Sequence, residues 1–291
     1  LFLAPESGHG GMPAGPASGA SSGAVEEHSA EEEHSGGDHA GMAATSEGAG
    51  LSVEFAADPA EPGPDRPVAL SYTVRDAGSG EAITDLPLDH ERPMHTILTC
   101  ADLEDFGHIH PRAQQDGSYR VETTPPRAGT YRLYTEFVRD GEKILVRRQI
   151  SVGAAKDGGA RLTPDLSPKT IEGTTVSLDV PGTVRAGEPV HLDFRLTREG
   201  EPVTDLDPYL GAAAHVAIVS EDGSAFAHGH GEARIAEEAA HGDEDHGVPG
   251  SFGPGVRADH TFGSPGLYKL WAQFESDGRV MSAPFVVEVR S

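Results

Sequence analysis

From residue 51 onward, apolar and polar residues alternate in short runs separated by turn residues. Leu51-Ser-Val-Glu-Phe55, Val68-Ala-Leu70-Ser-Tyr72-Thr-Val74, Tyr119-Arg-Val121-Glu122, Tyr131-Arg-Leu133-Tyr-Thr-Glu-Phe137 and Ile144-Leu-Val146-Arg-Arg-Gln-Ile150-Ser-Val152 read with a period of two. That period is the mark of strands with one buried face. Pro62-Gly63, Gly78-Ser79-Gly80, Asp116-Gly117, Ala128-Gly129 and Asp140-Gly141 fall between them, and these residue types favour turns. Short strands, regular turns and no sustained helical period predict an antiparallel sandwich.

The pattern then repeats. Gly80-Glu81-Ala-Ile-Thr84-Asp85-Leu86 returns as Gly200-Glu201-Pro-Val-Thr204-Asp205-Leu206, an offset of 120 residues. Further on, residues 129–137 return as Gly266-Leu-Tyr268-Lys-Leu270-Trp271-Ala-Gln-Phe274, and Asp140-Gly141 as Asp277-Gly278, both at an offset of 137. The change of offset places a 17-residue insertion in the second copy, an acidic loop around residues 232–251 that carries His241 and His246. The expected fold is all-β: two tandem Greek-key, immunoglobulin-like β-sandwich domains over residues 51–153 and 171–291, joined by a linker over 154–170. Residues 1–50 hold eight acids, no Lys or Arg, and much Gly, Ala and Ser. They lack the apolar content to offset ordering entropy, so a disordered tail is expected. His9-Gly-Gly-Met12 and His39-Ala-Gly-Met42 lie in it, a spacing that suits a flexible metal-collecting segment.

Composition narrows the chemistry. The formal charge of −25 argues against nucleic acid as a partner, because phosphate binding needs basic patches. The single cysteine, Cys100, excludes an intrachain disulfide framework and any multi-cysteine metal site within the chain. It reads as a packed thiol beside Leu98 and Ala101. No run is long and apolar enough to span a membrane. The apolar start Leu1-Phe2-Leu3-Ala4 fits an exported protein of the periplasm or cell envelope, with an N-terminal segment that could dock in a larger envelope assembly.

Three histidines recur in both copies. His95, His108 and His110 return at the 120 offset as His215, His228 and His230. In a strand, residues i and i+2 point to one face, so each His-x-His pair can reach one ion. A hairpin turning at residues 102–105, or 221–224, brings the earlier histidine beside the pair. The expectation is therefore a metal site built twice, one per domain. Candidate fourth ligands differ between copies: His90 in the first, where the second has Leu210, and His260 in the second, where the first has Thr123. Imidazole suits zinc, copper, iron and nickel alike. Met94 beside His95 and the tail methionines favour copper, with zinc as the runner-up, and no His-Glu-x-x-His motif suggests metal-assisted hydrolysis.

This histidine arrangement resembles the zinc site of carbonic anhydrases, the metal sites of cupins, and the copper sites of copper/zinc and copper-only superoxide dismutases. Phe106-Gly-His108-Ile-His110-Pro111 and Asp207-Pro208-Tyr209-Leu210-Gly211 before His215 are also similar to the copper-associated YtkA-like envelope domains. The resemblance implies copper handling and, at its most specific, superoxide dismutation. Under that reading His95, His108 and His110 form the catalytic site, and Arg92 and Arg112 draw in a small anion such as superoxide. A non-enzymatic copper carrier or buffer, or a structural envelope subunit with metal sites, is the alternative.

Overall fold

The structure, a computed structural model, describes residues 44–45, 49–154, 158–233 and 251–291. The expectations for residues 1–43, His241 and His246 lie outside the described residues. The first repeat contains β1 (Ala44–Thr45), β2 (Leu51–Asp58), β3 (Val68–Asp76), β4 (His95–Cys100), β5 (Phe106–Ile109), β6 (Arg112–Ala113), β7 (Tyr119–Thr123), β8 (Gly129–Arg139) and β9 (Glu142–Val152). One sheet runs β2-β3-β7-β6 and the other β1-β9-β8-β4-β5. The chain changes sheets between β3 and β4, between β5 and β6, and between β7 and β8, the Greek-key path of an immunoglobulin-like sandwich. Its core joins Leu70, Tyr72 and Val74 of one sheet to Leu98, Tyr131, Leu133 and Val146 of the other. Met94 and Cys100 are buried in that core. The β8–β9 hairpin turns at Asp140-Gly141, both at positive φ, as a two-residue turn that matches strand twist requires.

The second repeat contains β10 (Lys169–Ile171), β11 (Thr174–Asp179), β12 (Val184–Arg185), β13 (Pro189–Arg198), β14 (Glu201–Pro202), β15 (Ala214–Ser220), β16 (Phe226–Ala233), β17 (Gly255–Thr261), β18 (Gly266–Ser276) and β19 (Arg279–Arg290). It uses the same plan, except that β16 bridges the two layers into a 10-stranded sheet by pairing with both β15 and β17. One residue accounts for the difference. Pro111 follows His110 in the first repeat and ends β5, since proline has no N–H for the ladder. Gly231 stands there in the second, and β16 runs through. A Cβ on Gly231 would meet Val256 Cγ1 at 2.6 Å and Ala214 Cβ at 3.0 Å, so the two layers close on a bare backbone.

The two repeats belong to one compact unit. All six residues of β4 and all seven of β15 are buried. Alternation explains how. Leu98 and Cys100 enter the first core, and Ala214, Val216 and Ile218 enter the second. The intervening Ile97, Ala217 and Val219 meet in a third cluster with Leu103, Tyr134, Leu145 and Trp271. That cluster is the seam between the repeats. Two aromatic stacks pin it: Phe106 on Trp271 at 4.8 Å between centroids, and Phe226 on Tyr134 at 4.5 Å. The stacks are pseudo-twofold equivalents, because Phe106 corresponds to Phe226 at the 120 offset and Tyr134 to Trp271 at the 137 offset. The Tyr134 hydroxyl also donates to the Gly223 carbonyl at 2.7 Å.

Candidate metal centre

The outward positions of β4 and β15 begin with His95 and His215, so the same alternation that builds the seam also delivers both histidines into it. The hairpins bring the rest. Ile97 pairs with His108 across β4 and β5, and His215 with His230 across β15 and β16. The two triads therefore do not form separate centres in separate domains. They merge into one cluster of seven rings: His90, His95, His108, His110, His215, His228 and His230. Among the described residues, three groupings place their ring nitrogens within 4.8 Å of one another: His95/His108/His110, His108/His215/His228 and His90/His215/His230.

Three of these rings have a fixed tautomer. His95 Nε2–H donates to the Asp89 carbonyl at 2.8 Å, and His215 Nε2–H to the Tyr209 carbonyl at 3.0 Å. A carbonyl only accepts, so the Nδ1 of each neutral ring carries the lone pair. His108 Nδ1–H donates to Gln273 Oε1 at 2.7 Å, while the Gln273 amide nitrogen is occupied by Ser282 Oγ at 3.0 Å. His108 therefore turns a bare Nε2 inward. His228 Nδ1 faces the Glu136 carboxylate at 3.3 Å, and its Nε2 also points into the cluster. The inward nitrogens lie close: His95 Nδ1 to His108 Nε2 3.1 Å, His108 Nε2 to His110 Nε2 3.2 Å, and His215 Nδ1 to His228 Nε2 3.2 Å. Lone pairs facing one another repel unless a proton or a cation sits between them. Tetrahedral ligands about ~2.0–2.1 Å from a metal stand roughly 3.3 Å apart, close to these separations. Backing groups that fix ring orientation are the usual companions of metal-bound histidine.

The backing is exchanged between repeats. Glu136 and Gln273 correspond at the 137 offset, and each pairs across its sheet with its own repeat's first histidine, His95 or His215. Yet the side chain of each supports the other repeat's His-x-His pair. Glu136 is enclosed, and its Oε2 makes no hydrogen bond. Burial raises its carboxyl to about 7.

Burial also lowers the imidazoles: His95 to about 4, His108 to about 3 and His110 to about 2, with His215 and His228 held well below the ordinary value. Neighbouring imidazoles push all five the same way. The unfolded chain takes up these protons as pH falls through 6.5, whereas the folded chain resists until about 4 or lower. The imidazole contribution to stability is therefore present above pH 6.5 and lost as pH falls through that window. Glu136 acts in the opposite sense, its contribution being lost as pH rises from 4.5 through about 7. One carboxyl stands against five buried imidazoles. The urea midpoint of the metal-free protein should fall between pH 6.5 and 4.5; a flat or rising midpoint would contradict this charge balance.

Other candidates from the sequence fall as follows. His90 does not complete the first triad. Its ring stacks on His230 of the second repeat, 3.4 Å between centroids. His260 lies on β17, edge-on to Phe262 at 4.5 Å, and belongs to none of the histidine groups among the described residues. Met94 faces the first core, so it offers no thioether to the centre. Arg112 is exposed, and with Arg92, Arg120 and Glu122 it lines a shallow cleft of about 380 Å³ that has His110 on its wall. Glu136 and Gln273 carried no expectation. Their signal was a polar residue inside an otherwise apolar run, before Phe137 and Phe274.

The family model described as "Domain of unknown function (DUF8832)" matches residues 44–154 and again residues 169–291. The chain belongs to this family. The double match coincides with the two sandwiches, so the DUF8832 unit is one repeat and the histidine cluster arises where two units meet. No curated protein matches the sequence. Among solved structures, trypsin-activated alpha-2-macroglobulin from Escherichia coli is similar at 12% identity and a TM-score of 0.28, over 86% of this chain and 16% of that one. A putative membrane anchored protein from Corynebacterium diphtheriae has 12% identity and a TM-score of 0.22, over 82% and 57%. Invasin, a bacterial integrin-binding protein, has 16% identity and a TM-score of 0.21, over 82% and 39%. This chain thus spans less than two thirds of each.

Proposed function

We propose that this protein is an exported copper-binding protein whose centre is the histidine cluster between its two DUF8832 units. The observation that carries the reading is the set of inward imidazole nitrogens 3.1–3.2 Å apart, with the tautomers of His95, His108 and His215 fixed so that their lone pairs face one another or a neighbouring ring. An all-imidazole donor set accepts several first-row ions, and among divalent ones copper binds most tightly at a given nitrogen site. Zinc is the competitor. Purified protein offered equal copper and zinc in the presence of a chelator should retain copper. Preferential zinc retention would replace copper in this reading, and retention of neither would remove the metal.

The cleft beside His110 favours a second, catalytic reading. Arg92, Arg112 and Arg120 line the cleft that His110 reaches, and a local positive field attracts small anions even on an acidic protein. Copper there would supply one-electron chemistry. The arginines would draw in superoxide, and His95, His108 and His110 would hold the ion. Arg112→Glu should lower dismutation several-fold while copper content stays unchanged, because it alters attraction and not ligation. Loss of copper, or an unchanged rate, would count against the cleft as the entry. A copper carrier or buffer is the reading that remains if loaded protein shows no dismutation above free copper.

A further inference from the structure

We infer that the centre holds two ions and that the second is bound by His90, His215 and His230, with one ligand taken from the first repeat and two from the second. This rests on the metal-binding reading above and goes beyond it in number and in ligand set.

His95/His108/His110 and His90/His215/His230 have no member in common. The third grouping, His108/His215/His228, borrows one ring from each of the others. Two ions can therefore be held at once only in the first two, each with three imidazoles. The shared grouping accommodates one ion at the middle, at the expense of both flanking sites.

His90 is built into this position. Asp89 and Arg92 exchange backbone hydrogen bonds at 2.9 and 3.1 Å, closing a two-residue turn in which His90 and Glu91 have φ of 43° and 65°. Histidine is among the residues that tolerate this left-handed region. The carbonyl of Asp89 is the same one that fixes the His95 tautomer, so a single turn orients a ligand of the first site and projects a ligand of the second. The equivalent turn of the second repeat, between Tyr209 and Ala212, fixes His215 in the same way. It carries Leu210, which has no ligand atom. At this turn the pseudo-twofold symmetry is thus broken by His90 standing where the second repeat has Leu210. In the second repeat the His-x-His pair divides: His228 groups with His108 and His215, while His230 groups with His90 and His215.

The pair would be inequivalent. The first site opens on the arginine-lined cleft through His110. The second ties the repeats together, because its ion bridges the seam.

The test uses the full chain, Cu(II) and a competing chelator that strips weakly held copper. Tight copper is counted by elemental analysis, and EPR reads whether the ions are coupled. Two tight ions per chain with a half-field signal from a coupled pair are expected. His90→Leu, which copies the second repeat's own turn residue, should retain one ion and lose the coupling. His110→Ala should also retain one ion, now in the second site. One tight ion in the unsubstituted protein, unaffected by His90→Leu, would overturn the pair while leaving the copper reading intact. No tight copper at all would overturn both.

Discussion

Replacing His108 by alanine should abolish the part of the protein's response to metal that comes from the first site. His108 belongs to two of the three histidine groupings, and its Nε2 lies 3.1–3.2 Å from both His95 and His110. Loss of a group that merely backs a ligand costs 10–100-fold in affinity, so removing the ligand itself should cost at least about 100-fold. Linkage makes this visible as stability. At a free copper concentration about 1,000 times the dissociation constant, the native protein gains ~4.1 kcal/mol; a site 100-fold weaker gains only ~1.4 kcal/mol at the same concentration. The substitution also strands Gln273 Oε1, at a cost of about 1–3 kcal/mol that is independent of metal. The informative quantity is therefore the difference between metal-free and metal-loaded melting temperatures. If His108→Ala melts lower but keeps the full copper-induced rise, His95, His108 and His110 do not bind the ion.

Trp271→Ala should be among the most destabilising single changes outside the two sandwich cores. Trp271 is buried and stacks on Phe106 across the seam. Truncating a buried tryptophan costs about 3–5 kcal/mol, which for a domain of this size lowers the melting temperature by roughly 10 °C. A second effect follows from where the ligands come from. Gln273, two residues along β18, orients His108 of the other repeat, and Glu136 does the reciprocal service for His228. Loosening the seam should therefore weaken copper binding although no ligand is touched. Thermal melts and copper titration of the same variant test both effects. Destabilisation with unchanged affinity would mean that each repeat assembles its ligands alone.

The sandwiches were legible because each strand has one face in a core, and period-two alternation reports that directly. The repeat was legible because offsets of 120 and 137 residues hold over many positions. The docking of the repeats was not, since alternation reports that a face is buried and never against what. Its trace was present: His95-Thr-Ile-Leu-Thr-Cys100 and Ala214-His-Val-Ala-Ile-Val-Ser220 do not alternate, as a strand buried on both faces does not. Taking the repeats as independent assigned His90 to its own triad, whereas its turn projects it against the other. His260 was proposed from offset alone, and Phe262 beside it gives it an ordinary packed environment. The copper argument from Met94 failed because that side chain points into the core.

X-ray absorption spectroscopy of the copper-loaded full chain tests most directly whether histidines from both repeats form one imidazole-only metal centre. The account predicts a first shell of nitrogen at about 2.0–2.1 Å, with the outer-shell scattering of three or more imidazoles per ion and no sulfur. A shell dominated by carboxylate oxygen, as the acidic tail would supply, would contradict it.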